Sequence, residues 1–202
     1  LMKLNALALD ALTEIFNHGV GQAANSLSEL AGEEVRLSVP RVEELAKRSI
    51  VDQMDKRGAN RICAVRQGYT GAISTEALLM FPFEQSLQLV QMMVGDDVPL
   101  EQLSEMEQES LAEIGNILLN AVLSSVADML QIELEGSLPQ VELGLSSTVL
   151  CPSGDFDSTI LSLQINFEIA SRQIQGYLVF LLDLASSELL EKKLAAFIGA
   201  LP

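Results

Sequence analysis

The sequence predicts an α+β fold made by duplicating one α-β-β-β-α unit. Two long amphipathic helical patterns are each followed by alternating, strand-like stretches. With Glu14 aligned on Glu113, an offset of 99, nine of the thirty positions from Glu14 to Glu43 are identical in the second copy. Because a unit this small cannot bury its own sheet face, we expect a pseudo-two-fold arrangement. The two long helices would pack together on one shared, mainly antiparallel sheet.

Length and composition favour one compact domain. The chain has 202 residues, of which 49% are hydrophobic, enough for a substantial core. We therefore expect a single domain over residues 1–202, made of repeats at about 4–95 and 104–199. The connecting segment, Gly95 to Leu103, is typical of a surface loop because it contains Asp96, Asp97 and Pro99.

Two segments have the periodicity of long helices. The first has apolar residues at helical spacing from Leu4 through Leu7 to Leu30, and Gly32 is a natural stop. The second is predicted to open at Ser104, where Glu107 completes a capping-box pattern. Its apolar stripe continues to Met129.

The remaining elements are shorter. Predicted strands cover Val35 to Val39, Arg61 to Gln67, Ala72 to Phe81, Ile132 to Leu138, Thr159 to Ala170 and Gln175 to Leu182. Each half closes with a shorter helix, at Glu84 to Val94 and at Ser187 to Ile198.

Charge and cysteine content exclude several classes of protein. The net charge of −16 repels nucleic acid and anionic membranes and favours a partner with basic groups. The longest uncharged runs have 14 residues, too few to span a bilayer. Cys63 and Cys151 stand far apart without nearby Cys or His, so neither a disulfide framework nor a zinc or other metal site is indicated. We expect a cytoplasmic protein, monomeric because the duplication already presents two sites.

The candidate chemistry lies in a repeated Glu-x-x-Asn pair. Residues three apart on a helix point to nearly the same side, which groups Glu14 with Asn17 and Glu113 with Asn116. The predicted polar face extends to further residues that a partner would meet: Asp10 and Gly21 in the first helix, Glu109 and Asn120 in the second. Each pair is followed by 22 residues and then a proline, Pro40 or Pro139, and the chain has only six prolines. This coincidence favours a functional repeat over two ordinary solvated helix faces.

With these residues the chain resembles the CheC, CheX and FliY group of response-regulator phosphatases from chemotaxis. The pattern of that group is Asp or Ser, three residues, Glu, two residues, Asn, then 21 or 22 residues and Pro. The first copy, Asp10, Glu14, Asn17 and Pro40, matches throughout. The second copy differs in having Glu109 where Asp or Ser is usual. The resemblance to the CheC type, with two sites, covers nearly the whole chain.

The resemblance implies that the protein dephosphorylates a phosphorylated, CheY-like receiver domain. Asn17 and Asn116 would position the attacking water, and Glu14 and Glu113 would pair with a lysine of the receiver. The Mg²⁺ would be held by the receiver, so the chain needs no cofactor of its own. The alternatives are a non-catalytic flagellar-switch module and an adaptor that binds a CheD-like deamidase.

Three nearby features have simpler interpretations. His18 has no counterpart in the second copy, where Ile117 stands, and is interpreted as incidental. Gly19 and Gly21 lie inside a helical pattern and are expected to allow close helix packing rather than phosphate binding. Phe16 stands where the group usually has a small residue, and is expected to narrow the approach to the first site.

Overall fold

The structure is a computed structural model that describes residues 4–56, 60–95, 105–169 and 172–200. Six helices and seven strands occur in these ranges. The first half of the chain comprises α1 (Ala6–Ala31), β1 (Val35–Ala46), α2 (Lys47–Lys56), β2 (Arg61–Gly71), β3 (Thr75–Pro82) and α3 (Phe83–Val94). The second half comprises α4 (Glu105–Leu130), β4 (Leu134–Gly136), β5 (Gln140–Leu145), α5 (Ser146–Leu150), β6 (Thr159–Ile169), β7 (Arg172–Leu182) and α6 (Leu184–Gly199).

All strands belong to one sheet, and every recorded pairing is antiparallel. The strand order is β1-β6-β7-β3-β2-β4, with β5 also paired to β2. Strands of the two halves are therefore interleaved in the sheet, with β6-β7 of the second half between β1 and β3 of the first. The order reads the same from either edge when the halves are exchanged. The predicted α+β class with a mainly antiparallel sheet is confirmed. The two-fold axis and the repeat boundaries stay predictions.

The two long helices pack against each other in opposite directions on one face of the sheet. Ser125 Oγ donates a hydrogen bond to the Ile15 carbonyl at 3.1 Å. Four residues further along α1, a Cβ on Gly19 would lie 2.8 Å from Val122 Cα. The predicted role of Gly19 in close helix packing is therefore confirmed.

The core is divided between the two faces of the sheet. The larger cluster lies between the sheet and helices α1, α3, α4 and α6. A smaller cluster on the opposite face is formed by α2, α5 and the strands beneath them, and includes Ile50 and Met54. Both cysteines are buried and free, and burial raises the pKa of the Cys63 thiol to about 12.

Most predicted elements are present, but the α-β-β-β-α order was incomplete. The short helices α2 and α5 were missed, as was strand β5, since the predicted strand from Ile132 to Leu138 covers only β4. Strand β1 was predicted to end at Val39 but continues through Pro40, because an edge strand tolerates a residue without an N–H where the pairing register shifts, here between Ser38 and Arg41. The predicted start of α4 at Ser104, with its capping box, and most of the Gly95 to Leu103 loop lie outside the described residues.

Candidate functional site

The predicted polar face of α1 is exposed at its acidic positions. Asp10, Glu14 and Gly21 are exposed, whereas Asn17 is half-buried beneath them. Leu7, two turns before Glu14, is 58% exposed, so its predicted place in the apolar stripe was wrong. A spacing of seven residues places Leu7 on the same side of the helix as Glu14 rather than over the sheet.

The Asn17 side chain joins α1 to the edge strand β1. Its Oδ1 accepts from the Val39 N–H at 3.0 Å, and its Nδ2 donates to the Val39 carbonyl at 3.1 Å and to the Thr13 carbonyl at 2.9 Å. Both Nδ2 hydrogens are used. Asn17 therefore satisfies the two backbone groups of the residue that precedes Pro40, at the register shift of β1. This contact gives a structural reason for the spacing between the asparagine and the proline.

The corresponding face of α4 has the same distribution of exposure. Glu109 and Glu113 are exposed, and Asn116 and Asn120 are half-buried. Met106, seven residues before Glu113, is 66% exposed and stands where Leu7 stands in α1. Each helix therefore presents an exposed apolar side chain and acidic groups, with an asparagine at the deeper end.

The Asn116 side chain is held by other side chains, not by a strand backbone. Its Oδ1 accepts from Asn120 Nδ2 at 2.8 Å and from Gln67 Nε2 at 3.3 Å. The Tyr69 hydroxyl donates to Asn120 Oδ1 at 2.9 Å, and Gln67 Nε2 also donates to the Ser137 carbonyl at 2.7 Å. We call these five residues the Asn116 network. Asn116 Nδ2 has no hydrogen-bond acceptor within the described part of the chain.

The network rests on buried positions of β2. Gln67 is 2% exposed and Tyr69 is 3% exposed. Burial raises the pKa of Tyr69, so its hydroxyl remains a neutral donor at physiological pH. Sequence reasoning missed both residues. The available signal was a glutamine on the otherwise apolar side of the strand, which carries Cys63, Val65 and Tyr69.

Glycine residues allow the close approaches around Asn116. A Cβ on Gly115 would lie 2.5 Å from Val65 Cγ1, so the absence of a side chain lets α4 lie directly on β2. A Cβ on Gly136 would lie 2.9 Å from the Tyr69 ring and 3.3 Å from Asn120 Oδ1. Strand β4 thus covers the network from the other side.

Two expectations about the first site were wrong. Phe16 is 2% exposed and stacks on Phe180 with ring centroids 5.6 Å apart, so it lies in the core and does not narrow any approach. A Cβ on Gly21 would have no atom of another residue within 4 Å, so helix packing does not explain this glycine. His18 is exposed, with its Nε2 3.2 Å from Gln22 Nε2.

The described ranges lack a metal-ligand cluster and contain one helix that is both long and apolar enough to cross a membrane. No group of three or more His, Cys, Asp or Glu side chains is placed to hold a metal ion there. Helix α4 is long and apolar enough to cross a membrane, but half of the relevant window is buried inside the protein. Burial of this kind is typical of a core helix.

The fold and the two helix faces define an α+β protein with paired Glu-x-x-Asn surfaces. A model of the CheC-like family matches residues 7–44, which include the first pair and Pro40. The chain is 28% identical over 146 residues to the CheY-P phosphatase CheC of Bacillus subtilis, covering 70% of this chain and 69% of that relative. The predicted resemblance to the CheC, CheX and FliY group is thereby confirmed.

Solved structures share the fold at low sequence identity. The crystal structure of Thermotoga maritima FliY superposes with a TM-score of 0.78 at 19% identity, covering 97% of this chain and 100% of the solved chain. The FliM middle domain of H. pylori superposes with a TM-score of 0.68 at 9% identity, covering 94% of this chain and 99% of that domain. These similarities concern the fold alone.

Proposed function

We propose that this protein is a phosphatase of phosphorylated receiver domains that hydrolyses their aspartyl phosphate. The observation that carries the proposal is the geometry of α4. Glu113 is exposed, and one turn further Asn116 presents an amide with a fixed Oδ1 and, among the described residues, an unpartnered Nδ2. The similarity to a CheY-P phosphatase supports the same activity.

The proposed reaction is an in-line attack of water on phosphorus. The water oxygen forms a new P–O bond while the bond from phosphorus to the receiver aspartate breaks. The aspartate carboxylate leaves with the bonding electron pair, and one proton of the water passes to solvent, which leaves inorganic phosphate. An asparagine amide lowers the barrier by holding the water at the required angle, much as a glutamine does in GTP hydrolysis.

The exposed residues of α1 and α4 would dock the receiver. Glu14 and Glu113 are exposed and would pair with the lysine that contacts the receiver phosphate. Asp10 and Glu109 extend the acidic surface, and Leu7 and Met106 add apolar contact area. This composition suits a partner with basic groups around an apolar patch.

The receiver would also supply the metal. Mg²⁺ bound by the receiver would neutralise the phosphate, so this chain contributes docking and the orientation of water. A chemotaxis role in the cytoplasm, in a monomer with two faces, remains part of the proposal. A CheD-like deamidase is a further candidate partner.

A second candidate is a binding module without hydrolytic activity. The fold similarity to FliM favours it, since FliM also occurs in a structure of a FliG–FliM complex. The two candidates differ in one property. Both predict binding of a receiver, and only the phosphatase predicts faster loss of phosphate.

The test is to add the protein to a CheY-like receiver from the same organism, phosphorylated with a small-molecule donor and then freed of it. Phosphate release is followed in the presence of Mg²⁺. We expect phosphate release well above the rate of the receiver alone. The double variant Glu14→Gln, Glu113→Gln should need a higher receiver concentration than the wild type to reach the same rate of release. Asp128→Asn, an exposed acid at the far end of α4, is the matched control and should behave as the wild type. Binding without any acceleration would favour the switch module.

A further inference from the structure

The two asparagines occupy corresponding places but have different hydrogen-bond partners. Asn17 Oδ1 accepts from a backbone N–H, and both of its Nδ2 hydrogens go to backbone carbonyls. Asn116 Oδ1 accepts from two side-chain amides, and its Nδ2 has no acceptor among the described residues. The side-chain amide thus has all its hydrogen bonds made in Asn17, whereas in Asn116 the Nδ2 group is available to a ligand.

The strand pairing identifies what replaces the Asn116 network in the first copy. Tyr69 pairs with Gly136 across β2 and β4, and Phe167 pairs with Leu37 across β6 and β1, at the same position relative to the long helix. Because side chains two apart in a strand share a face, Gln67, two residues before Tyr69 in β2, corresponds to Ile165, two residues before Phe167 in β6. A tyrosine and a glutamine in one copy are therefore a phenylalanine and an isoleucine in the other.

The two long helices also differ at the position four residues after each asparagine. The sequence offset places Gly21 in α1 where Asn120 stands in α4. Gly21 has no side chain to donate to Asn17 Oδ1, and that oxygen is instead satisfied by β1. The Oδ1 atom of each asparagine is therefore satisfied by different donors, a backbone N–H in the first copy and side-chain amides in the second.

We propose that Asn120, Gln67 and Tyr69 are positioning residues for Asn116, and that α4 carries the working site. Asn17 has a mainly structural role, as a link between α1 and the Val39–Pro40 irregularity. This inference rests on the proposed phosphatase function and adds to it a division of labour between the copies. With Oδ1 held by two donors, Asn116 presents Nδ2 to the attacking water as a single fixed donor.

A first experiment follows the amides without any receiver. The side-chain NH₂ groups of Asn17 and Asn116 are observed by ¹⁵N–¹H NMR in the wild type and in Tyr69→Phe, which copies the residue of the other half. We expect slow solvent exchange at Asn17 and fast exchange but restricted motion at Asn116. In Tyr69→Phe and Asn120→Ala, the Asn116 amide should become mobile while Asn17 is unchanged.

A second experiment measures kcat and KM for a phosphorylated receiver. Loss of positioning should lower kcat, roughly tenfold for Asn120→Ala and less for Tyr69→Phe, with KM unchanged. Asn116→Ala should abolish most activity, and Asn17→Ala should keep at least half of the kcat per folded molecule. Asn25→Ala, which removes an exposed amide from α1, is the matched control.

The outcomes separate this inference from the function on which it rests. A wild-type protein without phosphatase activity overturns the proposed function, whatever the NMR result. An active enzyme whose kcat is unaffected by Tyr69→Phe and Asn120→Ala overturns the positioning role, as does an effect confined to KM. Loss of most kcat in a fully folded Asn17→Ala variant overturns the division of labour.

Discussion

The side-chain amide of Asn17 pairs with both backbone groups of Val39, the N–H at 3.0 Å and the carbonyl at 3.1 Å. This pairing occurs where β1 shifts register beside β6 and where Pro40 has no N–H to offer. The asparagine therefore holds the edge strand against the helix, independently of any role in catalysis.

Replacing Asn17 by alanine should therefore destabilise the protein. The change leaves two backbone groups of the 2% exposed Val39 without their partner, and the cost of such a loss is about 1–3 kcal/mol. Urea unfolding followed by circular dichroism measures the free energy of unfolding. Asn25→Ala, on an exposed part of the same helix, should change it little. Equal stabilities of Asn17→Ala and wild type would contradict the structural role.

Replacing Gly115 by alanine should disturb the second site. A Cβ there would lie 2.5–2.9 Å from the Val65 side chain, so α4 must shift away from β2. We expect a loss of about 1–3 kcal/mol in the free energy of unfolding and a fall in kcat because Asn116 moves away from Gln67. Gly199→Ala, at the end of α6, is the matched control, since its Cβ would also meet open space. Unchanged kcat in Gly115→Ala would show that the spacing of helix and strand does not matter.

Replacing Met106 by aspartate should weaken receiver binding without altering the chemical step. Met106 is 66% exposed and lies two turns before Glu113, on the face expected to meet the partner. The substitution removes the apolar side chain that would contact the receiver, so KM should rise several-fold while kcat is unchanged. Leu184→Asp, at a residue 62% exposed at the start of α6, is a control outside that face. Similar KM values for both variants would argue against docking through Met106.

The Lys47–Asp155 ion pair predicts a pH-dependent contribution to stability. The Lys47 side chain is only 8% exposed, and its hydrogen bond lowers the pKa of the Asp155 carboxyl. Because the folded-state pKa is below the unfolded value of about 3.9, the contribution is present above that pH and is lost as pH falls through the folded value. The difference in unfolding free energy between wild type and Asp155→Asn should therefore be larger at pH 7 than at pH 3. A difference that does not depend on pH would contradict this assignment.

Periodicity and spacing predicted much of the fold, because long helices and paired strands depend on patterns within the chain. The end of α1 at Gly32, whose φ is 70°, is of this kind. The continuation of β1 through Pro40 was not predictable, since it depends on a side chain from another element. Helix α2 was missed although Ile50 and Met54 have helical spacing, because its segment is short and mostly polar.

The candidate site was predicted only in part. The sequence identified Glu14, Asn17, Glu113 and Asn116 and placed the glutamates on exposed helix faces, as found. It did not distinguish the two asparagines, because their difference arises from strand residues far away in sequence. Gln67 and Tyr69 approach Asn116 and Asn120 only after β2 packs beneath α4.

The central claim is that an asparagine amide positions the water that removes the receiver phosphate. Its most direct measurement is the rate of phosphate loss from a receiver saturated with the Asn17→Ala, Asn116→Ala double variant, with binding measured on the same samples. The account predicts that the double variant still binds but that phosphate is lost no faster than from the receiver alone. Phosphate loss at the wild-type rate, with both amides removed, would contradict it.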